Sequence, residues 1–335
     1  MRFTRSRMVL IALATLLVLV VCASPSQAQE KRYLWTAQEI GTGIFAMTTN
    51  VTNIVSRYLP KDVKIDILPS GAVVASCTMV NDGKAQFGWA EASAAWAYQG
   101  IVLYNKKHEN LRSIAGGLQQ ANMQAFALKK FSEAKKVRTF EDIKKNKVAV
   151  TIATKKRGTM GQAAGPMQLE AYGITYDDIK AWGGRIIETD VPEIVNLMRD
   201  GRADLWLDNL APGHPAATEL YQGTDLVILE HNPQGIAHLQ QYGFFAAPVP
   251  ANTWKDQAKA IVQPAATTLI TTHKDVPVDI VYLVAKAVLE NGEEIRKSHA
   301  VMKDFDEKTA WTKERTIIPQ HPGAEKYYRE RGFIK

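Results

Sequence analysis

Two acidic residues, Glu91 and Asp208, close the same local pattern and carry the chemistry this chain could perform. Glu91 follows Asp82-Gly83-Lys84-Ala85-Gln86-Phe87-Gly88-Trp89, and Asp208 with Asn209 follows Asp200-Gly201-Arg202-Ala203-Asp204-Leu205-Trp206-Leu207. A carboxylate at a strand end can hold a ligand ammonium or hydroxyl, or act as a general acid or base; its competing structural role is to cap the next helix. Arg157 stands just before a Gly-Thr turn, where its planar guanidinium could take a carboxylate bidentately or sit in a basic surface loop. Trp89 and Trp206 are candidates for core packing or for a ligand platform.

A second duplication surrounds these residues. Tyr33 to Ala37 leads into Gly41-Thr42-Gly43, and Val148 to Ile152 leads into Gly158-Thr159-Met160-Gly161. Glycines let a backbone approach a ligand closely, and N–H groups at helix starts favour an anion. Pro69-Ser70-Gly71 and Gly213-His214-Pro215 are turns of the same kind. The candidate ligand-binding set is therefore Gly41, Thr42, Gly43, Ser70, Gly71, Trp89, Glu91, Arg157, Gly158, Thr159, Asp208, Asn209 and Gly213, with ordinary helix caps and turns as the alternative reading of the Gly, Ser and Thr positions. Catalytic signatures are thin: there is no Gly-x-Ser-x-Gly elbow, no His-Glu-x-x-His and no complete phosphate-binding loop. The seven histidines are dispersed without metal-ligand spacing, so neither a metal nor a cofactor is expected.

Alternating strand and helix patterns must position these groups. Strands are expected at 33–37, 63–68, 86–90, 114–118, 123–129, 148–152, 203–207 and 225–229. Helices are expected at 43–59, 72–82, 92–104, 161–172, 191–200, 277–290, 292–303 and 323–331. Thr139-Phe140-Glu141-Asp142 reads as a capped helix start. The pattern predicts an α/β protein of two lobes with a shared cleft, residues 29–121 and 246–335 in lobe 1 and 122–245 in lobe 2. Two crossover strands form the hinge, the return crossing at Tyr242 to Ala247.

The first residues set the compartment. Arg2, Arg5 and Arg7 precede an apolar run from Met8 to Cys22 and a polar stretch ending at Ala28, the order of a secretory signal, with cleavage expected after Ala28. A retained anchor, or lipidation at Cys22, is the alternative. Without residues 1–28 the formal charge falls from +7 to +4, so the basic balance is mostly a targeting feature. No Lys/Arg run is interleaved with aromatics, and nucleic acid is not an expected partner. Only Cys77 remains after cleavage, within the apolar pattern Val73, Val74, Cys77, Val80, where a buried inert thiol is expected.

The chain resembles the TAXI group of extracytoplasmic solute receptors of TRAP transporters. The likeness rests on Gly41-Thr42-Gly43, Asp82-Gly83-Lys84-Ala85, Leu111-Arg112-Ser113-Ile114-Ala115-Gly116, Gly158-Thr159, Gly213-His214-Pro215 and, most distinctively, His321-Pro322-Gly323-Ala324-Glu325-Lys326-Tyr327-Tyr328. It implies a type II-like periplasmic binding protein fold. It also implies a small carboxylate-containing solute, such as glutamate or an organic acid, and delivery of that solute to a TRAP membrane permease. Two departures stand out: Ile44-Phe45 follow Gly43 where the group has another glycine and an aromatic, and Glu91 stands where it commonly has glutamine. A carboxylate there repels an added anion and welcomes an ammonium. A periplasmic lyase or dehydratase on the same fold, and a ligand-sensing subunit for a membrane kinase, are the alternative functions.

Overall fold

The computed structural model describes residues 30–38, 40, 43–70 and 73–335; the expected secretory segment and the turn residues Gly41, Thr42 and Gly71 lie outside the described residues. The chain first lays down β1 (Lys31–Ala37), β2 (Val63–Pro69), β3 (Phe87–Ala90) and β4 (Leu111–Ser113). It then builds a second sheet from β5 (Gln120–Leu128), β6 (Thr151–Lys155), β7 (Arg185–Thr189), β8 (Leu205–Leu210), β9 (Leu226–Ile228), β10 (Phe245–Val249) and β11 (Ile261–Thr267), and returns as β12 (Leu269–His273). The first sheet has the order β2-β1-β3-β12-β4 and the second β10-β11-β5-β8-β6-β7, with β9 beside β5. Among the described strands, parallel pairing joins β1 to β2 and β3, and β6 to β7 and β8. The strands adjoining the crossings, β5, β11 and β12, run antiparallel to their neighbours.

The return crossing differs from expectation. β10 and β11 form an antiparallel pair inside the second sheet, and Val249, Trp254 and Ile261 are buried in that sheet's core. The chain therefore crosses back at Thr267 to Leu269 rather than at Tyr242 to Ala247. The extended run before Pro248 finds its partner in the next strand, which only tertiary pairing decides. The two crossing segments are themselves joined, Thr268 N–H donating to Gln119 O at 2.8 Å and Ile270 N–H to Ala115 O at 2.8 Å.

Each sheet is covered by amphipathic helices. In the first lobe Trp35, Phe87 and Trp89 stack along β1 and β3, with Trp35 5.3 Å from Phe87 and 5.5 Å from Trp89 between ring centres. Met47, Val51 and Val55 of the helix Gly43–Ser56 close over them, and Val281, Val284 and Val288 of the helix Val278–Glu290 join the same core. In the second lobe Phe126 sits against Trp206, Tyr221 and Trp254 at 5.6, 5.5 and 5.3 Å. Burying such side chains stabilises each lobe by about 1.5–3 kcal/mol apiece. Cys77 is fully buried, and burial pushes its thiol up to about 11, which suits the expected inert role.

The duplicated Asp-Gly step is a real structural repeat. Gly83 and Gly201 both take left-handed conformations, φ 71° and 67°, and each ends a helix, Val73–Asn81 and Val191–Arg199. Ala85 and Ala203 then turn inward, fully buried, and β3 and β8 follow. A left-handed residue without Cβ strain is needed to reverse the chain, which is why glycine stands at both places.

Candidate functional site

Strand register places the central charges. β6 and β8 run parallel with Ala153 opposite Trp206, so two residues further along Lys155 and Asp208 lie side by side on one face. Lys155 Nζ is 3.2 Å from Asp208 Oδ1. The same alternation puts Trp206 on that face, and its indole N–H donates to Asp208 Oδ2 at 3.1 Å. The backbone N–H of Asn209 donates to Asp208 Oδ1 at 2.7 Å. Asp208 is wholly buried, which raises its pKa, opposed first by Lys155 and then by these donors. Gly161, in the first turn of the helix Met160–Glu170, passes so close that an added Cβ would lie 2.0 Å from Asp208 Oδ1.

The next residue along β8 faces the other lobe. Asn209 Nδ2 donates to Glu91 Oε2 at 3.1 Å, across a sequence separation of 118, which is also the offset between the repeat glycines Gly83 and Gly201. Equivalent strand ends of the two lobes therefore meet each other, Glu91 pairing with Asn209 rather than with Asp208. Glu91 is 9% exposed and Asn209 6%, and Asn209 Oδ1 is buried without a partner. Desolvation pushes Glu91 up to about 7, with Asp208 adding to the rise and Lys155 and Asn209 opposing it. His214, in the turn before the helix Pro215–Gly223, is lowered to about 4, first by burial and then by Lys155, and its Nδ1 has no partner. Both amide atoms of Gln124, opposite Asp208 on β5, are likewise buried and unpartnered.

An apolar contact lies beside this polar cluster. Ala92, Ala95 and Trp96, in and before the helix Ser93–Gln99, share a buried cluster with Met123, Met160, Met167, Leu239 and Phe244 of the second lobe. Trp96 Nε1 donates to Tyr242 O at 2.7 Å.

The other expected site residues are dispersed. Trp89 is in the first-lobe core, its indole N–H donating to Thr48 Oγ1 at 2.7 Å, which corrects the platform reading. Arg157 has its side chain 87% exposed and pairs with Glu188 at 3.3 Å, the surface-loop alternative. Thr159 caps its helix by accepting from Gln162 N, and Gly158 precedes it at φ 86°. Ser70 ties the ends of β1 and β2 through its hydroxyl to Ala37 O at 2.7 Å. Gly43 opens its helix near the His299 ring, and Gly213 turns the chain at φ 76°. Lys155, His214 and Gln124 were absent from the expected set. Lys155 could have been found by extending the strand after Ile152 by three residues, since it then ends beside Asp208.

Two α/β lobes with two crossings between them match the fold of periplasmic binding proteins. Solved structures share it at low identity. A TctC solute binding protein from Polaromonas matches with TM-score 0.50 and 14% identity, over 82% of this chain and 88% of that one. PhnD1 from Prochlorococcus marinus in complex with methylphosphonate matches with TM-score 0.52 and 14% identity, over 91% and 100%. A Xanthomonas citri protein bound to chloride ion matches with TM-score 0.52 and 10% identity, over 89% and 95%. The chain belongs to the NMT1-like family, whose model matches residues 36–332.

Proposed function

We propose that this chain is an exported solute receptor that captures a small carboxylate-containing solute, a glutamate-like amino acid or an organic acid, between its lobes and delivers it to a TRAP-type membrane permease. The observation that carries the reading is the meeting of Glu91 from one lobe with Asn209, Asp208 and Lys155 from the other, flanked by the unpartnered polar atoms of His214 and Gln124. Buried polar atoms without partners are costly, about 1–3 kcal/mol each, and a polar solute would satisfy them. Micromolar affinity requires about 8 kcal/mol, within reach of several charge-assisted hydrogen bonds of about 1.5–3 kcal/mol each before the costs of ordering. The resemblance to the TAXI group supplies the permease partner and the periplasmic setting. No helix among the described residues is long and apolar enough to cross a membrane.

Isothermal titration of the ligand-stripped chain against amino acids, dicarboxylates and 2-oxoacids tests this. A member of the panel should bind at micromolar or better affinity and be recovered with its mass unchanged. A panel without heat or thermal shift would refute the carboxylate assignment, and a changed product mass would favour the lyase alternative.

A further inference from the structure

The two buried carboxyl groups at the lobe junction are served very differently. Asp208 receives three donors: Lys155 Nζ at 3.2 Å, Asn209 N–H at 2.7 Å and Trp206 Nε1–H at 3.1 Å. Such a set favours a carboxylate. Among the described residues the Glu91 carboxyl has one donor, Asn209 Nδ2 at 3.1 Å, and the carbonyl oxygen of that same amide, Oδ1, is buried with nothing to accept from. An amide offers a donor and an acceptor side by side. A carboxylate facing it satisfies only the donor; a carboxylic acid satisfies both, accepting from Nδ2 and donating its O–H to Oδ1.

We propose that Glu91 holds a proton where the lobes meet, forming a neutral acid–amide latch with Asn209. The charged groups acting on Glu91 are Lys155 from β6 and Asp208 from β8, and they already pair with each other. Ser93, on its own side, touches only its backbone N–H. Burial supports the assignment by raising Glu91 from 4.5 to about 7. This inference rests on the proposed solute-receptor reading and deepens it. With Glu91 neutral, the junction holds a balanced Lys155–Asp208 pair and no longer repels a carboxylate-containing solute, which reconciles an acid at this position with an acidic cargo.

The sign follows from the raised acid. The latch's contribution to stability is fully present below pH 4.5 and is lost as pH rises through about 7. Thermal melting of the chain and of Glu91→Gln, whose amide mimics the neutral acid, tests this between about pH 5 and about pH 8 without any solute, so its result is independent of the cargo. The wild type should lose midpoint temperature relative to Glu91→Gln as pH rises, with the gap levelling off above about 7. An unchanging gap, or a variant that falls behind the wild type as pH rises, would overturn the proposal. Infrared difference spectra give a second reading. A carboxylic-acid carbonyl band should fade across the same interval and move in Asn209→Ala; its absence at the acid end would also overturn the latch.

Discussion

The ends of β3 and β8 descend from one repeated pattern, yet they solve the burial of an acid in opposite ways. On β8, Asp208 is surrounded by Lys155, an indole N–H and a backbone N–H, and its charge is held in place by geometry. On β3, the position equivalent to Asp208 is Ala90, and the acid stands one residue later as Glu91, opposite the amide of its own counterpart, Asn209. The difference teaches that one local backbone pattern serves both strand ends while their side chains set an ion pair on one lobe and an acid facing an amide on the other. A one-residue step along a strand moves a side chain to the opposite face, which is why the two acids do not play the same role.

Removing the support of Asp208 should break the comparison most severely. Lys155→Met leaves a buried carboxylate without its counter-charge, and a loss of about 3 kcal/mol is expected, at the low end for such pairs because the lysine side chain is 21% exposed. Urea denaturation measures it, and a loss below about 1 kcal/mol would show that Asp208 is not held as described. Gly161→Ala should cost about 1–3 kcal/mol by forcing the helix start away from Asp208, read as a lower urea midpoint with unchanged slope. Asn209→Ala removes the amide donor to the Glu91 carboxyl and should weaken solute binding about tenfold or more, about 1.4 kcal/mol, in titration calorimetry. Arg157→Ala sharpens the contrast from the other side. Its exposed pair with Glu188 predicts a stability change within about 0.5 kcal/mol and unchanged solute affinity.

Much of the scaffold could be read from residue patterns, and the reasons are local. The helices at Gly43, Val73, Val191, Val278 and Pro322 begin within a residue or two of expectation because apolar spacing, caps and prolines all agree there. Thr139 caps its helix with Asp142 in a reciprocal box, as its sequence signals. Thr175 and Asp178 form a second such box, and the helix Tyr176–Ala181 and the neighbouring β7 are short enough to lack a clear apolar period. The return crossing was misplaced because β10 and β11 settle their partnership through long-range pairing. At the junction, Glu91, Asp208 and Asn209 were legible because the repeat fixes strand ends. Lys155 was not, because its importance comes from register with β8, and the place of Arg157 before a Gly-Thr turn does not reveal that its side chain pairs outward with Glu188. Of the two readings of Trp89, core packing holds, its indole N–H meeting Thr48 inside the first lobe.

Native mass spectrometry of the freshly purified chain, compared with Lys155→Met, tests most directly that the junction of the two strand ends is a solute site. The account predicts that the wild type retains a small acid, released intact on activation, and that a folded Lys155→Met carries none. A wild type that travels without bound solute and gains none from the carboxylate panel, or a variant that retains the same mass, would contradict it.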